Sequence, residues 1–245
     1  MSSPGPDAAL AELATRRPLL VASDYDGVLA RLRDDPAAAV PEPGVAEVLA
    51  RLAAVDGVTV ALVSGRGVDD LRRTSGLPGN FRWVGSHGAE FDGPLTDEDA
   101  GRRDELARLL APLVEGTPGA RLEVKPASVA VHVRQVADRD RAAALLAEAR
   151  EKADPSLTMK PGKDVLEIAV TDADKGGALR RLVEELGAAA AVYLGDDVTD
   201  EDGFRALGPD DVTIKVGEGE TAARYRVAGP EAVVDLLGRL ADRLS

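Results

Sequence analysis

One stretch decides the fold: Val21-Ala22-Ser23-Asp24-Tyr25-Asp26-Gly27-Val28. The residues from Leu19 to Ser23 are uncharged and mostly apolar, which is typical of a short buried strand in a parallel sheet. Two carboxylates and a glycine follow directly. Because a charge buried without a partner is costly, we expect Asp24 and Asp26 at the end of this strand, where α/β folds place their active sites.

Composition limits the classes of protein that this chain can belong to. Its 245 residues are enough for one large domain or for one domain with a smaller insert. The net charge of −13 argues against nucleic acid and anionic membranes as partners, so local cations must hold any phosphorylated ligand. Cysteine is absent, which excludes disulfides and thiolate metal sites. Residues 1–7 lack the features of a signal peptide, and no apolar run reaches membrane-spanning length, so we expect a cytoplasmic protein.

The pattern around the first strand predicts an α/β fold with two domains. Up to residue 92 the chain reads βαβαβ, which is typical of a parallel sheet with covering helices. Residues 93–170 then read αββαββ with alternating polar and apolar positions, which predicts an antiparallel sheet with one polar face. The parallel pattern resumes near Lys175. We therefore predict a core domain of residues 1–92 and 171–245 and an inserted second domain of residues 93–170.

Two details of the second domain are predicted from local pattern. A strand over residues 128–136 would place His132 and Arg134 on the polar face. The pair Pro161-Gly162 is a turn signal and is expected to join the last two strands.

Acidic side chains also follow a later strand of the core. Asp196 and Asp197 follow the apolar run near residue 190, and Asp200 comes one helical turn later. Because parallel strands end at one edge of a sheet, these carboxylates would crowd together with the first pair and raise one another's pKa values. A hard divalent cation with oxygen ligands, Mg²⁺ above all, relieves that repulsion. The candidate metal-binding residues are Asp24, Asp26, Asp196, Asp197 and Asp200, although Asp197 or Asp200 could instead orient a ligand or cap a helix.

The same residues suit the transfer of a phosphoryl group. Asp24 is the candidate nucleophile toward phosphorus, and Asp26 the candidate acid that protonates the leaving oxygen and then activates water. The Ser64 hydroxyl, at the end of the second strand, and the amides of the following helix could bind the phosphoryl oxygens. Lys175, at the start of its helix, is the candidate fixed cation.

These motifs, in this order, resemble those of the haloacid dehalogenase superfamily of phosphatases. A closer resemblance, over nearly the whole chain, is to the trehalose-6-phosphate phosphatase family. It rests on the segments Val63-Ser64-Gly65-Arg66, Gly85-Ser86-His87-Gly88-Ala89-Glu90, Glu123-Val124-Lys125, His132-Val133-Arg134, Lys175-Gly176 and Gly195-Asp196-Asp197. One departure is Ala169-Val170, where the family often has Arg-Pro.

The resemblance implies a Rossmann-like core with a mobile α+β cap of the C2B type. It implies Mg²⁺ held by Asp24, the Asp26 carbonyl and Asp196, and a cap that binds sugar hydroxyls. The residues expected to contact substrate are Gly65, Arg66, His87, Glu123, Lys125, His132, Arg134 and Glu167. The implied function is hydrolysis of trehalose 6-phosphate through an aspartyl-phosphate intermediate, in trehalose biosynthesis, by a chain that we expect to be a monomer.

Simpler interpretations stay open for several of these residues. Glu123, Lys125 and Arg134 could be the solvated face of an antiparallel sheet, and Arg66 a surface charge. Both histidines, the only ones in the chain, could be structural. The alternative functions are a phosphatase for another sugar phosphate, a catalytically silent sugar-phosphate sensor and a pure interaction module. The complete catalytic set argues against the sensor, because a binding protein does not need the nucleophile.

Overall fold

The computed structural model describes residues 5–245. Residues 1–4, which belong to the predicted core domain and to the segment searched for a signal peptide, lie outside that range. The chain forms two compact units: the first ends at Gly93 and resumes with Ala173–Ser245, and the second is Pro94–Asp172. Their assignment as a core and a cap stays a prediction. No helix of the described part is long and apolar enough to cross a bilayer.

Helices and strands alternate through the first unit, whereas strands are grouped in the second. The first unit begins with α1 (Pro6–Leu13), β1 (Leu19–Ser23), α2 (Val45–Ala53), β2 (Val58–Val63), α3 (Val68–Ser75), β3 (Arg82–Gly85) and β4 (Glu90–Phe91). The second contains α4 (Asp97–Glu115), β5 (Arg121–Val124), β6 (Ser128–His132), α5 (Arg139–Lys152), β7 (Thr158–Gly162) and β8 (Val165–Ala169). The first unit ends with α6 (Lys175–Leu186), β9 (Ala190–Gly195), α7 (Asp200–Ala206), β10 (Val212–Val216), β11 (Tyr225–Val227) and α8 (Pro230–Leu244).

The sheet of the first unit places β1 at its centre. Within residues 5–245 the strand order is β11-β10-β9-β1-β2-β3-β4, and every neighbouring pair is parallel except β3 with β4. Ser23 at the end of β1 lies opposite Leu62 in β2 and Leu194 in β9. After β1 the chain forms β2, β3 and β4 on one side of that strand, and it later forms β9, β10 and β11 on the other side. Ligands of α/β proteins bind where the strand order reverses in this way, at the topological switch point. The α/β fold with a parallel sheet, predicted from the sequence, is confirmed.

Both faces of this sheet are covered by helices. Leu19 and Val21 of β1 pack in one apolar cluster with residues of α1, α2, α3 and α8. Leu20 and Ala22, which point the other way, pack in a second cluster with residues of α6 and α7. Each large apolar side chain removed from water contributes roughly 1.5–3 kcal/mol. With both faces of the sheet apolar, Asp24 and Asp196 lie directly beyond the ends of β1 and β9.

The sheet of the second unit has one polar and one apolar face. Its order is β5-β6-β8-β7, all antiparallel. Glu123, Ala130, Glu167 and Lys160 lie in one row across the four strands and therefore share a face. Buried side chains of α4 and α5 belong to the opposite side of the sheet, as the alternating pattern predicted.

The structure corrects two details of the second unit. Pro161-Gly162 lies inside β7, and the chain reverses at residues 163–164, where Asp164 has a left-handed φ of 61°. Its carboxylate accepts a hydrogen bond from Arg139, at the start of α5. The predicted strand 128–136 ends at His132, so Arg134 lies in an exposed turn and not on the polar face.

Candidate active site

A buried lysine joins two carboxylates at the carboxyl end of the parallel sheet. Lys175 Nζ donates to Asp24 Oδ2 at 2.6 Å and to Asp200 Oδ1 at 2.7 Å. The Asp174 side chain caps the start of α6 through the Gly177 amide, which places Lys175 in the first turn of the helix. Only 2% of the lysine side chain is exposed. Burial alone would lower the pKa of Lys175, but Asp24 and Asp200 outweigh it and the pKa is raised.

Asp200 is completely buried, and four donors surround its carboxylate. Besides Lys175, the Tyr193 hydroxyl donates to Oδ1 at 2.5 Å, and the amides of Asp196 and Asp197 donate to Oδ2 at 2.8 and 2.9 Å. Two bonds to each oxygen fill the acceptor sites of a carboxylate. This geometry fits a residue that positions Lys175 and the loop after β9.

The carboxylates of Asp24 and Asp196, unlike that of Asp200, retain oxygen acceptor sites at which a cation would bind. Oxygens of Asp24, Asp196 and Asp200 lie within 4.8 Å of one another. Burial raises the pKa of Asp24 to about 7, because it outweighs the opposing charge of Lys175 and is reinforced by Asp200. Burial and the charges of Asp200 and Asp197 raise the pKa of Asp196 to about 6. Carboxylates in this state favour a nearby divalent cation, and the oxygen-only donor set suits a hard metal ion.

Gly27 permits the close approach of Asp196 to the loop after β1. Its φ is +77°, a conformation that residues with a Cβ rarely adopt, and a Cβ there would lie 1.9 Å from Asp196 Oδ2. The neighbouring Asp197 is exposed, and its carboxylate accepts from the amide of Val198 at 2.6 Å. Asp196 is thus the better placed of the two for a metal.

Asp26 is held by an arginine from the next loop. Arg66 Nε and Nη2 donate to the two carboxylate oxygens of Asp26 at 2.6 and 2.8 Å. The hydrogen bonds from Arg66 to Asp26 are the main reason that the arginine pKa is raised. Only 9% of the Arg66 side chain is exposed, so it is not the solvated surface charge that the sequence left open.

The loop after β3 packs against the end of β2. The amide of His87 donates to the Ser64 carbonyl at 2.9 Å, and Ser64 Oγ accepts from the Arg66 amide at 3.2 Å. A Cβ at Gly65 would lie 2.6 Å from His87 Cε1, so His87 and Gly65 belong to one tightly packed turn. His87 has a left-handed φ of 57°. The candidate substrate residues Gly65 and His87 therefore also have structural roles.

The candidate residues of the second unit form their own polar network on the sheet face. Glu167 accepts from Lys125 Nζ and from Ser128 Oγ, both at 2.7 Å. Burial would raise the pKa of Glu167, but the hydrogen bonds of Lys125 and Ser128 outweigh it and the pKa is lowered. His132 Nε2 lies 2.7 Å from Glu123 Oε2. Arg134, in its exposed turn, is apart from this network.

Sequence reasoning missed Lys215 and Tyr193 as parts of the site. Lys215, nearly buried in β10, donates to the carbonyl of Asp196. Tyr193 in β9 donates to Asp200, and burial together with that carboxylate raises its pKa well above the usual value. A lysine inside an otherwise buried strand was the signal that could have identified Lys215.

Comparisons with known proteins agree on one family. A family model described as trehalose-phosphatase matches residues 22–231. A trehalose-phosphate phosphatase of Mycobacterium marinum is 36% identical over 91% of this chain and 61% of its own length. One from Mycobacterium avium is 40% identical over 95% of this chain and 64% of its own length. The chain thus spans less than two thirds of these relatives.

A solved structure agrees with the sequence relatives. The structure of trehalose-6-phosphate phosphatase from Aspergillus fumigatus superposes with a TM-score of 0.75 at 28% identity, and the match covers 96% of this chain and 97% of that one.

Proposed function

Since this chain belongs to the trehalose-phosphatase family, we propose that it hydrolyses trehalose 6-phosphate to trehalose and inorganic phosphate. The observation that carries the proposal is the position of Asp24. This carboxylate ends the central strand of a parallel sheet, at the switch point, and is held by a buried lysine. A carboxylate fixed in this way can attack phosphorus.

In the first step an Asp24 oxygen bonds to phosphorus while the bond between phosphorus and the sugar oxygen breaks. Asp26 in its acid form gives its proton to the departing sugar oxygen, which leaves as a hydroxyl group. In the second step Asp26, now a carboxylate, takes a proton from water as the water oxygen bonds to phosphorus, while the bond between phosphorus and the Asp24 oxygen breaks, so that inorganic phosphate leaves and the Asp24 carboxylate is restored. Lys175 stays within hydrogen-bond distance of Asp24 and offsets the negative charge of the phosphoryl group.

We propose Mg²⁺ as the metal, with Asp24, the Asp26 carbonyl and Asp196 as its protein ligands. Small cavities lined by carboxylates and completed by substrate phosphate oxygens suit this ion. When bound, Mg²⁺ would neutralise charge on the phosphoryl oxygens. The buried acidic cluster and the raised pKa values of Asp24 and Asp196 support this choice.

We propose that the polar sheet face of the second unit binds the sugar hydroxyls. Glu123, Lys125, His132 and Glu167 are its candidate contacts, and their network of charge-assisted hydrogen bonds supplies both donors and acceptors. A cytoplasmic location and a monomeric state stay predictions.

The test is phosphate release from a panel of sugar phosphates by the wild type and by Asp24→Asn, with Mg²⁺ and with chelator. We expect metal-dependent release from trehalose 6-phosphate and no release by the variant, since an amide is not a nucleophile toward phosphorus. Asp197→Asn is the matched control, because Asp197 is exposed and caps only its own loop.

Each other outcome selects an alternative. Release from a different sugar phosphate would keep the mechanism and refute the substrate. Binding of trehalose 6-phosphate without any release would favour the sensor. Release by Asp24→Asn at the wild-type rate would refute the nucleophile.

A further inference from the structure

The pair between Arg66 and Asp26 differs from the bidentate surface pair of Arg239 with Asp7 in its burial, because 9% of the Arg66 side chain is exposed against 48% of that of Arg239. The guanidinium meets both carboxylate oxygens at once, at 2.6 and 2.8 Å. Bidentate pairs of this kind fix the orientation of a carboxylate as well as its position. Asp26 lies in the loop after β1, and 29% of its side chain is exposed.

Arg66 is itself held in place by contacts on its other side. Nη1 donates to Asp70 in α3 at 3.0 Å, and Nη2 also donates to the Pro36 carbonyl at 2.7 Å. The guanidinium carbon lies 5.8 Å from the centroid of the Tyr25 ring, within the range of a cation–π contact. Arg66 is thus anchored by Asp70, Pro36 and Tyr25, and it in turn orients Asp26.

We propose that Arg66 is the residue that positions Asp26 for proton transfer, rather than a substrate contact. The proposal rests on the phosphatase function proposed above. Because the anchored guanidinium meets both carboxylate oxygens, Arg66 fixes the direction in which the Asp26 carboxyl group faces.

This role makes the effect of Arg66 depend on the leaving group. A sugar alkoxide is a poor leaving group and needs the proton, whereas the nitrophenolate of p-nitrophenyl phosphate departs without one. The ratio kcat/KM reports the steps through departure of the leaving group, so it isolates this proton transfer from the later hydrolysis of the aspartyl-phosphate.

The experiment compares Arg66→Met with the wild type on trehalose 6-phosphate and on p-nitrophenyl phosphate. A displaced catalytic group costs on the order of 100-fold, so we expect kcat/KM for the sugar phosphate to fall roughly 10–100-fold. We expect less than about a 3-fold change for the aryl phosphate, because its departure needs no acid. Arg66→Lys should keep most of the defect, since an ammonium group cannot span both oxygens.

Two further variants protect the test from misfolding. Asp70→Asn keeps Arg66 but removes one of its anchors, and should show a weaker defect of the same selectivity. Arg73→Met is the matched control, because Arg73 also pairs with Asp70, at 2.5 Å, but its side chain is 76% exposed. It should behave like the wild type on both substrates.

Several results would overturn the proposal. Arg66 is not a positioning residue if Arg66→Met lowers kcat/KM equally on both substrates, or if it raises KM for the sugar phosphate and leaves kcat unchanged. The same holds if Arg66→Lys has the kcat/KM of the wild type. If the wild type cleaves only another sugar phosphate, the substrate assignment fails separately, and the same comparison applies to the substrate that is cleaved.

Discussion

Replacing Asp200 by Asn is expected to destabilise the chain strongly, because four donors depend on that carboxylate. The amide of Asn has one oxygen that accepts two hydrogen bonds, so two of the four donors lose their acceptor. Each buried donor left unpaired costs about 1–3 kcal/mol. The sum, about 2–6 kcal/mol, brackets the roughly 3–5 kcal/mol that breaking a buried ion pair costs and is a large part of a typical stability.

The assay is urea unfolding of the wild type and of Asp200→Asn, in chelator so that no metal contributes. Asp202→Asn is the control on the same helix: its side chain is 56% exposed and lies 3.6 Å from Arg205, so the expected loss is below about 1 kcal/mol. Phosphate release should also be lost in Asp200→Asn, because Lys175 and the loop after β9 lose their anchor. Equal free energies of unfolding for the two variants would refute this account of Asp200.

Three further expectations concern the metal, the loop after β1 and the sugar. Mg²⁺ at a hundred times its dissociation constant should raise the free energy of unfolding by about 2.7 kcal/mol. Asp196→Asn should remove most of that increase. If the increase in the variant equals that in the wild type, Asp196 is not a ligand of the metal. Gly27→Ala should abolish phosphate release, whereas Gly217→Ala, with the same φ of +77° and open space around it, should lose only about 1–2 kcal/mol of stability. Lys125→Met should lower kcat/KM for trehalose 6-phosphate roughly 10-fold but leave p-nitrophenyl phosphate unaffected, since one charge-assisted hydrogen bond is lost; equal losses on both would argue against a sugar contact.

The sequence predicted the fold and the convergence of the acidic residues because both depend on local patterns. The apolar run of β1 and the run before Asp196 identify buried strands. Parallel strands then bring their carboxyl ends together, whatever the order of the strands between them. Asp24 and Asp196 therefore could be grouped without any knowledge of side-chain contacts, whereas Lys175, at the start of a helix, was assigned to the site from the ordered set of motifs.

Pairing between distant side chains could not be predicted in this way. Arg66 and Asp26 are 40 positions apart, and no local pattern selects one carboxylate for an arginine among the many in the chain. The same holds for Lys215 and the Asp196 carbonyl, which meet only because β10 lies beside β9. Their roles depend on the geometry of the folded chain.

The misplaced turn in the second unit shows how strand register overrides turn preference. Pro161-Gly162 is a strong local signal, but Lys160 lies opposite Glu167, and Gly162 lies opposite Val165. A two-residue turn at 161–162 would place Lys160 opposite Lys163, whereas the observed register places it opposite Glu167, and a cross-strand pair of opposite charges is favoured over one of like charges. The chain keeps its polar and apolar faces and reverses at Asp164, a residue type that tolerates a left-handed conformation.

The charges at the end of the parallel sheet indicate how an acidic chain would bind the proposed phosphate ester. Asp24, Asp196 and Asp200 contribute three negative charges, and Lys175 and Lys215 contribute two positive ones, so this cluster carries one net negative charge. A phosphate dianion entering alone would meet that charge as well as the overall −13 of the chain. A divalent cation makes the cluster net positive, and the phosphate then restores the original balance. In the proposed complex the attraction for the anion would come from the metal, and the protein's own part would be to hold Asp24 and Asp196 close enough together to bind that metal, with Asp200 fixing Lys175 beside them.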